Sequence, residues 1–271
     1  MGELQVLVAT MNQRDLSFAS TLNAKCDMVI ANQADSYSIK EESLDGWSVT
    51  MITTPTHGVG INRNIALFAA DAEIVLFADD DIVYYDGLRN GVLSAFRQMP
   101  EADAIVFGID YSKNGIVYRR RRLTNGRLHL WNSMRYGTSV LAVKRRKIEK
   151  LNITFNHCFG GGCIYGSGED NLFIKECFDK GLRIYTSSYV LGVCKKDTST
   201  WFHGCNEKYY YDRGALMVYL FPCCSRLMAL YFAVRNKRET DISILKRIKL
   251  MQQGVIGGRS LIPYKSSEDS K

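Results

Sequence analysis

Within the first 110 residues, five short and almost unbroken apolar runs, at 4–9, 28–31, 47–52, 73–78 and 104–108, alternate with stretches patterned as helix. Brief runs rich in Val, Ile and Leu fit strands covered on both faces, as in a mostly parallel sheet. Between them, 62–70 and 87–98 carry apolar residues at helical spacing. This alternation predicts an α/β fold, a mostly parallel sheet flanked by helices, with its ligand outside the carboxyl ends of the strands. The chain of 271 residues has room for one large domain or two small ones, and its 46% hydrophobic and 23% charged residues exclude a disordered polymer.

The net charge of +7 is unevenly spread: residues 1–112 carry −10, residues 113–150 carry +11, and 205–271 carry +6. An acidic half followed by a basic arm points to one region that gathers a cation and another that receives an anion. The eight cysteines show no C-x-x-C pair, so they read as reduced thiols acting as small hydrophobes, and no signal peptide precedes Leu4. The expected location is cytoplasmic. The most apolar stretch, 214–234, is interrupted by Pro222 and Ser225-Arg226 and reads as two turns of buried helix, not a span. The basic residues that follow make a peripheral contact through 214–250 with the inner face of a membrane an alternative to a plain solvated helix face.

The strongest local signal is the run 74–78 ending in Asp79-Asp80-Asp81. Three adjacent acids repel one another, and a hard divalent ion, Mg²⁺ or Mn²⁺, shared with substrate phosphates removes that cost. The alternative is a solvated acidic turn. Strand alternation sends Asp79 and Asp81 to one side and Asp80 to the other. Further on, Gly168-Glu169-Asp170 opens a helix expected over 171–180 and closed by Gly181, where acids in the first turn also suit the helix dipole. Arg119-Arg120-Arg121-Arg122 lies in a polar stretch, 113–135, expected to form a hairpin or long loop. Arginine suits phosphate recognition, and a solubilising loop is the competing reading. The run lacks the aromatic interleaving of a nucleic-acid platform, so no nucleic-acid partner is expected.

Taken in order, these segments resemble a nucleotide-sugar glycosyltransferase of the GT-A fold, in family 2, of the type that builds bacterial surface polysaccharides. The Asp79-Asp80-Asp81 strand end resembles the family's DxD motif, which implies a nucleotide contact at Asp79 and Asp80 and a metal, Mn²⁺ or Mg²⁺, at Asp81 with Asp79. Residues 6–14 resemble the first strand and turn, implying nucleotide contacts at Thr10, Asn12 and Arg14. The segment 30–35 sits where the second strand ends, implying Asn32 and Asp35. Gly58, Arg63 and Asn64 resemble the Gly-x-x-x-Ala-Arg-Asn segment that lies against the nucleotide. Glu169-Asp170 resembles the motif that supplies the general base, with Asp170 preferred. His203 falls where relatives place a further metal ligand; His57 and His157 are weaker candidates, and His129 has no argued role.

The resemblance implies an inverting, metal-dependent hexosyl transfer from a nucleoside diphosphate sugar, a UDP-sugar first, to a saccharide or lipid-linked saccharide. Arg119, Arg120, Arg121 and Arg122 suit acceptor phosphate by their own chemistry, and Trp201, Trp131 and Tyr165 suit stacking on sugar, with core packing an equal reading of each. The implied organisation is a catalytic domain over 1–204, with a nucleotide half at 1–112 and an acceptor half at 113–204, and a helical region over 205–271. The alternatives from other classes are a nucleotidyltransferase, which lacks its Gly-rich phosphate loop here, and a non-catalytic polyanion-binding protein.

Overall fold

The computed structural model describes residues 2–195, 204–235 and 240–265. These divide into two compact units. The first comprises Met1–Phe155 and Phe173–Ser199, and the second Asn156–Leu172 and Thr200–Lys271. The segment 156–172, which the sequence reading counts with the catalytic domain, therefore packs with the C-terminal helices, and the division falls inside a helix.

The first unit is one sheet with helices on its faces. In chain order its elements are β1 (Leu4–Met11), α1 (Ser17–Thr21), β2 (Asp27–Gln33), β3 (Ser38–Leu44), β4 (Trp47–Thr54), α2 (Val59–Ala69), β5 (Ile74–Asp79), β6 (Ile82–Tyr84) and α3 (Leu88–Gln98). There follow β7 (Ala104–Lys113), β8 (Ile116–Arg121), β9 (Gly126–Arg127), α4 (Leu130–Ser133), β10 (Leu141–Lys144), α5 (Arg145–Lys150), α6 (Glu169–Asp179) and β11 (Ile184–Lys195). The 11 strands order as β3-β4-β2-β1-β5-β10-β7-β11-β6, with β8 on β7 and β9 on β11.

Strands β4, β2, β1 and β5 are mutually parallel; β1, β2 and β5 are buried along nearly their whole length, whereas β4 alternates, burying Val49, Met51 and Thr53 between less covered neighbours. The sheet as a whole is mixed. β10 inserts antiparallel between β5 and β7, and β3, β6, β8 and β9 also run against their neighbours. The basic arm is the expected hairpin: β7 and β8 turn through Asn114 and Gly115, both at positive φ, the two-residue turn that matches strand twist. The core sits between sheet and helices. At its centre Phe155 stacks on Phe173 at 4.1 Å, and Phe77 meets both rings edge-on.

The second unit contains α7 (Glu207–Leu220), α8 (Ser225–Arg235) and α9 (Ile244–Gly258). Asn206 caps α7 by accepting from Tyr209 N, and Ser243 caps α9 by accepting from Lys246 N. α7 and α9 touch backbone to backbone. A Cβ added to Gly254 would lie 1.9 Å from the Tyr211 carbonyl oxygen, and one on Gly214 would lie 2.1 Å from that of Met251. The loop 156–172 is held by Tyr165, whose hydroxyl donates to the Ile262 carbonyl at 3.2 Å, and by Asp212, which accepts from Gly166 N at 2.9 Å and pairs with Lys208. The expectation of a buried helix at 214–234 needs correction. The stretch splits at Pro222 into the end of α7, which is buried, and α8, which is exposed over much of its surface. Among the described residues no helix is long and apolar enough to cross a membrane.

Candidate active site

Register brings the candidate residues of the first unit to one edge. Pairing of Ala9 with Asp79, Thr10 with Asn32, and Gln33 with Thr54 lines up the carboxyl ends of β5, β1, β2 and β4. This is where open α/β sheets bind ligands.

The turn after β1 is built by side-chain amides. Asn12 takes a left-handed φ of 57°, which asparagine tolerates. Asn32, fully buried, accepts from Gln13 N at 3.0 Å and donates to the Gln13 carbonyl at 2.9 Å and the Thr53 hydroxyl at 3.1 Å. Asn62 donates to the Thr10 carbonyl at 3.0 Å. Gln33 ties Gly58 N at 3.0 Å and bonds the His57 ring at 3.2 Å. Gln13 and Gln33, which the sequence reading passes over, are thus part of the edge. Gln33 is marked in the sequence only as a polar residue at a buried strand end, and Gln13 only by its place in the turn after β1. Arg14 and Asp35 lie exposed at the same edge.

α2 contributes the next layer. Arg63 is buried, pairs with Asp79 at 2.9 Å and lies 5.4 Å over the Phe155 ring. Asn64, also buried, donates to the Phe155 carbonyl at 2.9 Å and accepts from Phe155 N at 2.8 Å. These contacts give Asn32 and Asn64 positions in the scaffold of the edge.

The three aspartates take three different partners. Asp79 meets Arg63; Asp80 accepts from the Thr10 hydroxyl; Asp81 accepts from the Cys194 thiol at 3.2 Å, while its carbonyl accepts from Lys195 N at 2.8 Å. Cys194 reaches the site because β11 pairs with β6, directly after the triplet. Partial desolvation raises the Asp80 pKa although solvent reaches the residue; the Thr10 bond opposes the rise, and the Asp79 charge adds to it. The triplet offers only hard oxygen donors, the set that suits Mg²⁺ or Mn²⁺. Among the described residues no group of three His, Cys, Asp or Glu side chains could by itself hold a metal, so an ion here would draw the rest of its shell from water or substrate oxygens. On that donor chemistry the residues fit the ion.

The four consecutive arginines divide. Arg122 forks onto the buried carboxylate of Asp110, which also accepts from the Tyr85 hydroxyl at 2.9 Å. Burial would raise the Asp110 pKa, but the Arg122 and Tyr85 bonds outweigh it and hold the carboxyl below its usual range. Arg121 lies 4.3 Å over the Tyr136 ring and donates to the Arg135 carbonyl. Arg119 lies over Tyr111, and Arg119 and Arg120 are exposed on β8.

In the second unit, Glu169 and Asp170 open α6. Glu169 folds back to accept from Gly168 N at 3.1 Å, capping its own helix. Burial, followed by the Glu169 charge, pushes the nearby Cys163 thiol up to about 11. His203 and Trp201 lie outside the described residues.

The sequence profile of glycosyl transferase family 2 matches residues 18–165. No curated protein matches the chain at a significant level. Among solved structures, residues 1–349 of TarS from S. aureus superpose with a TM-score of 0.57 at 14% identity, covering 93% of this chain and 70% of that one. The same fragment in complex with UDP-GlcNAc gives a TM-score of 0.58 at 15% identity, covering 96% and 73%. The longer TarS structure gives 0.54 at 14% identity, covering 96% and 44%. At such identity the likeness is one of fold, an α/β sheet flanked by helices of the GT-A kind with C-terminal helices. With its profile match spanning more than half of the sequence, the chain belongs to glycosyl transferase family 2.

Proposed function

We propose that this glycosyltransferase moves a hexose, with inversion, from a UDP-sugar to a hydroxyl of a saccharide or lipid-linked saccharide in surface-polysaccharide assembly. The observation that carries the reading is the aspartate triplet at the carboxyl edge of the parallel strands, in a chain of this family. The likeness to a protein crystallised with UDP-GlcNAc supports a uridine donor.

Asp81, with Asp79, is the proposed holder of Mn²⁺ or Mg²⁺. Such an ion, when bound, neutralises charge on the departing diphosphate. Thr10, Asn12, Arg14, Asp35 and Gly58 border the nucleotide, while Arg63 fixes the Asp79 carboxylate and keeps its charge balanced. Asp170 accepts the proton of the acceptor hydroxyl as that oxygen attacks the anomeric carbon; one displacement inverts the centre. With Arg121 and Arg122 hydrogen-bonded within the protein, Arg119 and Arg120, exposed on β8, are the arginines proposed to meet acceptor phosphate.

Calorimetry with UDP and GDP, each with and without Mn²⁺, tests the reading. UDP should bind, more tightly with Mn²⁺, and Asp81→Ala should abolish the metal dependence while leaving the melting temperature intact. Equal binding of any polyanion, with no nucleotide preference and no effect of Mn²⁺, would refute it.

A further inference from the structure

Helix α8 is turned the wrong way round for a helix of a water-soluble core. It buries Ser225, Ala229 and Ala233, its smallest side chains, and exposes Leu227, Leu230, Tyr231 and Val234 by 42–70%. These four recur at the spacing of a single helix face, and each forgoes the burial that drives folding. Arginines bracket the face. Arg226 stands one turn before Leu230, and Arg235 lies 5.6 Å over the Tyr231 ring. α9 exposes Ile244 and Leu245 next to Lys246. Together α8 and α9 contain five basic residues, Arg226, Arg235, Lys246, Arg247 and Lys249, and no acidic one.

We infer that the exposed face of α8 docks on the surface of an anionic bilayer, its apolar side chains in the interface and Arg226 and Arg235 at the lipid phosphates. At 11 residues the helix is far too short to span, and it lies flat. Charge chooses this occupant. A second copy joined across the same face would set arginine against arginine, with no carboxylate on either helix to pair them. Anionic headgroups complement both arginines, whose stems can follow the apolar face while their heads stay in the polar layer.

The test uses the full chain and vesicles of phosphatidylcholine alone or in equal mixture with phosphatidylglycerol. The protein should float with the mixed vesicles, not the neutral ones, and high salt should weaken the binding. Leu230→Gln with Val234→Gln should lower partitioning at least about tenfold, and Arg226→Gln with Arg235→Gln about thirtyfold. Circular dichroism checks that both pairs remain folded. Tyr231→Trp, which keeps the face amphipathic, should add fluorescence that brominated phosphatidylglycerol quenches. Absence of flotation, equal binding to neutral vesicles, unaltered binding by either glutamine pair, or no quenching overturns the inference. So does a dimer in light scattering that the glutamine pairs dissolve, which would give the face to a second copy. Flotation reads no sugar transfer, so its failure leaves the proposed reaction untouched.

Discussion

Replacing Asn64 with alanine separates a scaffold role from a ligand role. The amide of Asn64 exchanges two hydrogen bonds with the backbone of Phe155, ninety-one positions away, and the residue is 3% exposed. Asn64→Ala strands the N–H and the C=O of Phe155 in a buried setting, and each unpaired group costs about 1–3 kcal/mol. Taking about 3 kcal/mol for both, the melting temperature should fall by about 6–12 °C for a chain of this size. Asn64→Asp gives a sharper result. Its carboxylate still accepts from Phe155 N–H but sets a second oxygen against the Phe155 carbonyl, so the folded state favours the protonated acid. The folded pKa then rises above the ordinary value of about 3.9. Between those values the unfolded chain binds fewer protons, so stability falls as pH rises, and the deficit relative to wild type should be largest near pH 7 and shrink toward pH 4. Thermal melts at stepped pH, read by circular dichroism, measure both effects. Should Asn64→Ala melt within about 1 °C of wild type while losing UDP affinity, the scaffold reasoning fails and Asn64 is a nucleotide contact.

Three further changes follow from other contacts. Gly254→Ala should cost at least about 2 kcal/mol in urea titration, because the added carbon meets a backbone carbonyl that no rotamer can move. Arg122→Gln should lower stability at neutral pH but not in acid. The depressed Asp110 pKa contributes stability present above the unfolded pKa and lost as pH falls through the folded one; a pH-independent difference between variant and wild type would contradict that sign. Asp170→Asn should leave UDP affinity unchanged and slow turnover at least about a hundredfold, whereas Glu169→Gln should retain most activity; the reverse ranking moves the base to Glu169.

The parts of the fold visible in the sequence are the strands whose apolar side chains are buried, on both faces in β1, β2, β5 and β7 and mainly on one in β4. β1, β2, β4, β5 and β7 each announce themselves as apolar runs, and the turn at Asn114-Gly115 marks the hairpin. β3 escapes notice because it is an edge strand, reading SIKEESL, with nearly every side chain facing water. The antiparallel insertion of β10 between β5 and β7 is a long-range pairing with no local trace. At the site, three acids directly behind a buried run are legible because nothing in a core explains them. The partners of those acids are not. Arg63, Asn32 and Asn64 are residue types that serve nucleotides and backbone equally well, and only their buried places, Asn32 at the end of β2 and the others on α2, assign them contacts with the scaffold. α8 misleads for a related reason: composition reveals how apolar a helix is, not which of its sides is covered.

The meeting of α7 and α9 has a mechanical corollary. Where Gly214 and Gly254 let main chain rest on main chain, there are no interlocking side chains to reshuffle between alternative rotamers. Sliding one helix along the other would drive a carbonyl into a Cα, a geometry that favours the pair moving as one body.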